Sequence, residues 1–188
     1  MKKTTLYRTV LSASLMALGF VLPFFTGNIP AIGNMLLPMH LPVLLCGLAC
    51  GPIYGGVIGF ALPLLRSLFL SRPVLYPNAI AMAFELAAYG VFIGIFYFLL
   101  VKKAKLPTYP SALISLLIAM MAGRAVWGVA QVLLLLGSQK SFTFAIFLAN
   151  GFLNAIPGIV LQIILIPTLM LILTKSKLTG SYLPYSEK

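Results

Sequence analysis

The chain has 188 residues, 61% hydrophobic and 8% charged, with a mean hydropathy of +1.09. A soluble domain of this length cannot hide that much apolar surface, so the composition specifies an all-α integral membrane protein. The formal net charge of +11 does not indicate nucleic-acid binding, because the basic residues sit in short clusters between apolar runs, where they act as topology signals and contacts for anionic lipid headgroups.

A helix that crosses a bilayer needs about 20 mostly apolar residues. The first such segment covers about 5–26 and follows the basic start "MKKTTLYRTV". Its apolar run is long and no clear A-x-A cleavage site follows, so it reads as a retained helix rather than a signal peptide. Next comes "LPMHLPVLLCGLAC", whose apolar part is too short to span. It predicts a short second helix over 38–50, stopped by Gly51-Pro52 in "CGPIYGG". Cys46 and Cys50 fall at i and i+4 on one face of it. With no histidine or carboxylate beside them in sequence, they read as small apolar packing residues rather than a thiol or metal pair.

Four further segments qualify as spans, at about 53–71, 78–101, 111–136 and 145–173. The expected fold is a six-helix transmembrane bundle with a short second helix, one unit over 1–188 without a soluble domain. No internal repeat stands out, which speaks against inverted-repeat carriers. With both ends on one side, that side holds Lys2, Lys3, Arg8, Lys102, Lys103, Lys105, Lys175 and Lys177, against Arg72 and Lys140 opposite. This bias predicts that both termini are cytoplasmic. The segment "FTGNIPAIGNMLLPMH" and the loops at 71–77 and 137–141 then face outward.

The chain has two acids, Glu85 inside "YPNAIAMAFELAAYGVFIGIFYFLL" and Glu187 near its end, and it has no aspartate. Placed by depth, Arg66, Glu85, Arg124, Gln131, Asn150 and Asn154 share the outer half of the bundle. An ionisable group in hydrocarbon costs at least about 2.5 kcal/mol, so these residues face the interior or a cavity. Glu85 and Tyr89 stand at i and i+4; Arg124, Trp127 and Gln131 at i, i+3 and i+7; Asn150 and Asn154 at i and i+4. Each set presents one helical face. A carboxylate, a guanidinium, amides and an aromatic plane together suit a small, flat, polar molecule. Alternatively, Glu85 pairs with Arg66 or Arg124 only to neutralise the core. His40 is either a lid residue touching a ligand or an interfacial side chain. Tyr76 and Tyr109 read as anchors at headgroup level.

The chain contains no G-x-S-x-G, H-E-x-x-H or Walker A sequence and no acidic pair for a metal. It does not read as an enzyme, and no metal or cofactor is expected.

Over nearly its whole length the chain resembles the substrate-binding membrane subunits, or S components, of energy-coupling factor (ECF) vitamin transporters. The resemblance rests on size, the six helices, cytoplasmic termini and a long first outer loop. It rests also on "PMHLPVLLCGLACGPIYGGVIGFALPLLRSLF" from Pro38 to Phe69, which looks like that family's short second helix, glycine-proline turn and third helix. Ala13 and Ala17 in "SASLMALG" fit the A-x-x-x-A pattern with which such subunits dock on a transmembrane coupling subunit. Small residues four apart let helices approach closely.

The resemblance implies a multi-pass protein of the bacterial plasma membrane that captures a vitamin or precursor from outside. It delivers the substrate inward by toppling, with the coupling subunit and two cytoplasmic ATPase subunits. The loop from Gly27 to His40 is then a candidate lid. A carboxylate suits a ligand amine, ring N–H or hydroxyl, and an arginine suits a ring nitrogen, hydroxylate or carboxylate. Pyridoxine or hydroxymethylpyrimidine, with Trp127 or Tyr89 beneath it, uses all of these; pantothenate comes next. Two other classes remain open at this stage: a self-sufficient proton-coupled secondary carrier using Glu85, and a non-transporting scaffold whose Arg–Glu cluster is structural.

Overall fold

A computed structural model of the chain describes residues 3–26, 35–136 and 143–176. Helix α1 covers Lys3–Val21 and continues as a 3-10 turn over Leu22–Thr26. The short α2 runs His40–Cys50 and α3 runs Pro52–Leu70. A bent turn at Leu75–Ala79, in which Tyr76 is extended, leads into α4 at Ile80–Phe98, and a π-helical turn follows at Leu99–Lys103. Helix α5 covers Thr108–Leu135, α6 covers Phe144–Gly151 and α7 covers Ile156–Lys175.

Among the described residues, five segments are long and apolar enough to cross a membrane: Thr4–Phe25, Pro52–Leu70, Leu75–Lys103, Thr108–Leu135 and Phe144–Lys175. With the short apolar α2 they make the six-helix arrangement expected from sequence. The sixth differs in being broken. Between α6 and α7 the chain leaves helical geometry at Phe152 (φ −126°, ψ −60°) and makes a 3-10 turn at Leu153–Ala155. Pro157 fits this break: without an N–H, and with a ring that crowds the carbonyl four residues earlier, it sits in the first turn of α7, where neither is a cost. The α2–α3 junction behaves as anticipated, since Gly51 adopts φ 104° and Pro52 opens α3.

Every residue of α2 is buried. It lies against α1, α3 and α4, with α5 and α7 closing the bundle. Glycines bring three of these backbones together: a Cβ on Gly47 would lie 2.5 Å from the Gly90 carbonyl oxygen, and one on Gly55 would lie 2.7 Å from Gly47 Cα. In lipid, where tails are as apolar as leucine, close van der Waals contact of this kind is what holds helices together. Leu44, Leu48, Leu62, Leu86, Ile93 and Leu116 fill the core, while Ile53, Val57, Leu68, Phe69 and Met121 point away from it. Apolar residues inside and outside alike account for the composition. Cys46 and Cys50 are buried free thiols. Ala13 and Ala17 are exposed on the face of α1 turned away from the bundle.

The topology residues Lys2, Lys140 and Lys177, the carboxylate Glu187, the whole 137–141 loop and the Gly27–Asn34 part of the loop read as a lid lie outside the described residues.

Candidate functional site

Two helical stripes converge near the α3–α4 turn. On α4 and the turn before it, Asn78, Met82 and Glu85 follow helical spacing; on α5, Arg124, Trp127, Gln131 and Leu135 do the same. Together with Leu37 and His40 at the start of α2, and Ile146, Asn150 and Asn154 at α6, they enclose a cavity of about 410 Å³. Pro73 and Pro77 complete its wall. Seven residues singled out by sequence thus share one space: His40, Glu85, Arg124, Trp127, Gln131, Asn150 and Asn154.

Glu85 is 2% exposed and Arg124 is 5% exposed. Arg124 Nη1 donates to Glu85 Oε1 at 2.7 Å, and the Tyr89 hydroxyl donates to the same oxygen at 3.2 Å. His40 Nε2 lies 3.8 Å from it, beyond hydrogen-bond distance. The His40 ring packs edge-on against Tyr89 with centroids 5.3 Å apart. Trp127 stacks on Phe147, 6.1 Å between centroids. At the rim, Asn154 Nδ2 donates to Asn150 Oδ1 at 3.1 Å.

What the cluster lacks is as informative as what it has. Arg124 Nε and Nη2 and both ring nitrogens of His40 are buried without a hydrogen-bond partner. A buried polar group left unsatisfied costs about 1–3 kcal/mol, and more when charged. Four such atoms around one cavity, three donors and one acceptor when His40 is neutral, form a surface that a guest bearing both acceptors and a donor satisfies.

The structure departs from the sequence reading at three residues. Arg66 does not line the cavity. Its Nη1 donates to the Phe20 carbonyl, and its guanidinium lies 5.6 Å from the ring centroids of both Phe20 and Phe24. It fastens the end of α1 to α3, and the arginine paired with Glu85 is Arg124. Tyr89 sits one turn deeper than Glu85, behind the carboxylate rather than at the cavity wall. His40 sits not on an outer loop but in the first turn of α2, where it is 2% exposed and lines the cavity.

The sequence reading omitted the rest of the wall. Asn78 and Met82 were accessible to it, being seven and three residues before Glu85 on its own face. Leu37, Pro73, Pro77 and Ile146 carry no such signal, since such apolar residues look alike whether they bound a cavity or not.

A family model for "ECF transporter, substrate-specific component" matches residues 8–170. No curated protein and no solved structure matches the chain.

Proposed function

The chain belongs to the family of ECF transporter substrate-specific components, and from that premise we propose that it captures a small vitamin or vitamin precursor in the cavity between α2, α4, α5 and α6. As a member it is a multi-pass membrane protein and a non-catalytic, substrate-binding subunit. The observation that carries the proposal is the set of buried, unpartnered polar atoms on Arg124 and His40 beside the Glu85 carboxylate. A purely structural ion pair needs one donor and one acceptor; here polar atoms remain after the pair is made.

In this reading His40, Glu85, Arg124, Trp127, Gln131, Asn150 and Asn154 contact substrate, while Tyr89 holds the carboxylate from behind. The cavity opens outward and the termini are cytoplasmic. Two features support that orientation: the lysine and arginine bias along the chain, and the position of the cavity. Pro73 and Pro77 bound it, at the opposite end of α4 from Lys102, Lys103 and Lys105. Ala13 and Ala17 dock on a transmembrane coupling subunit, and two ATPase subunits supply the energy for release inward. Their exposure on one face of α1 supports that role. Pyridoxine and hydroxymethylpyrimidine are the leading substrates, with pantothenate behind them.

A proton-coupled carrier would use Glu85 as its proton site. Arg124 already occupies that carboxylate at 2.7 Å, which works against that alternative.

The test is thermal unfolding of the purified chain in detergent against B-vitamins and their precursors. A ligand at 100 times its Kd stabilises the native state by about 2.7 kcal/mol. A rise in Tm with one compound supports capture, and no rise with any compound overturns it.

A further inference from the structure

The ion pair in the cavity wall is lopsided. Arg124 Nη1, the Tyr89 hydroxyl and, at longer range, His40 Nε2 all approach Glu85 through Oε1. None of these contacts uses Oε2, the second oxygen of this cavity-lining side chain and the acceptor it has to offer. Arg124 mirrors it: Nη1 is engaged, and Nε and Nη2 are buried without an acceptor. Side by side, the two residues hold out one acceptor and two donors.

Their formal charges cancel. At pH 7.5, above the ordinary imidazole pKa of about 6.5, His40 adds none. Arg66, the other buried arginine, is committed to Phe20 and Phe24 outside the cavity. Among the described residues, the wall therefore has no spare charge to balance a charged guest, and a buried charge without a counterion is heavily penalised.

We infer that the substrate has no net charge and carries a hydrogen-bond donor next to an acceptor on one edge of a planar ring, as an aminopyrimidine or a hydroxylated pyridine does. This deepens the capture reading above and rests on it. The ligand donor meets Glu85 Oε2 and the ligand acceptor meets Arg124 Nη2 or Nε. Trp127, backed by Phe147, bounds the ring face. The amides of Gln131 and Asn150 are left for exocyclic groups. Pantothenate, an anion without a ring, fails on both counts.

The test uses the full chain in detergent at pH 7.5 and reads Tm with matched probes. The neutral set is hydroxymethylpyrimidine, pyridoxine and nicotinamide; the charged set is pantothenate, pyridoxal phosphate and nicotinate. The expected result is stabilisation by at least one neutral ring and by no charged probe. Stabilisation by charged probes alone overturns the charge inference and leaves capture standing. No stabilisation by either set, or by the wider vitamin panel, removes the capture reading and this inference together.

A second measurement uses Glu85→Gln, which keeps an amide oxygen for Arg124 and Tyr89 but leaves the guanidinium unbalanced. It is expected to weaken the neutral ring by about tenfold or more and to gain stabilisation by an anionic probe. Unchanged preference in a folded Glu85→Gln protein overturns the proposal. The native-protein comparison stands whether or not that variant folds.

Discussion

Gly123 on α5 makes room for the ring of Tyr89 on α4: a Cβ at position 123 would lie 2.6 Å from Tyr89 Cδ1 and Cε1. Because the Tyr89 hydroxyl in turn holds Glu85 Oε1, a glycine that touches no ligand fixes where the carboxylate stands. Gly123→Ala is expected to cost about 1–3 kcal/mol as the ring is pushed aside. It should also shrink the Tm rise that a bound ligand gives. Unfolding with and without ligand separates the two effects, and an unchanged ligand response would remove Tyr89 from the positioning role.

Arg124 and Glu85 form a buried pair on facing helices. Arg124→Met leaves a carboxylate buried with Tyr89 alone and is expected to destabilise by about 3–5 kcal/mol. Adding Glu85→Gln to Arg124→Met removes the stranded charge and should recover much of that loss. A double-mutant cycle measured by thermal or denaturant unfolding gives the coupling. Additive single effects would mean that the pair is not coupled.

Arg66 offers the complementary case. Arg66→Met forfeits a charged donor to the Phe20 carbonyl and is expected to cost about 1.5–3 kcal/mol. Since Arg66 lies outside the cavity, the order in which ligands stabilise the variant should match that of the native chain. A changed ligand order, read from the same Tm panel, would return Arg66 to the site.

Ala13→Leu and Ala17→Leu alter exposed positions on α1. Each is expected to change stability by no more than about 0.5 kcal/mol and to leave the ligand response intact. The bulkier side chain should nonetheless prevent close approach of a second helix. Co-purification with the coupling and ATPase subunits is the measurement. Undiminished assembly with both leucines present would exclude this face as the dock.

Hydropathy alone revealed the spans, because a bilayer imposes length and apolarity on a helix whatever its neighbours are. The short α2 was legible for a different reason: Gly51-Pro52 cannot continue a helix. The partner of Glu85 was not legible. Depth places Arg66 and Arg124 at similar levels, but the sequence does not say toward which neighbour each helix turns, and Arg66 turns toward Phe20. Likewise Pro157 was visible as a proline in an apolar run, but so were Pro63 and Pro167, which sit inside continuous helices, and the hydropathy does not say which of them adjoins a break.

The backbone contacts at Gly47, Gly55 and Gly90 leave α2, α3 and α4 no slack to slide past one another, since any axial shift would drive side chains into main chain. The half of the cavity that bears His40 and Glu85 is therefore built like the fixed jaw of a vice. The opposite half, with Asn150 and Asn154, is mounted where the last span loses its helical continuity.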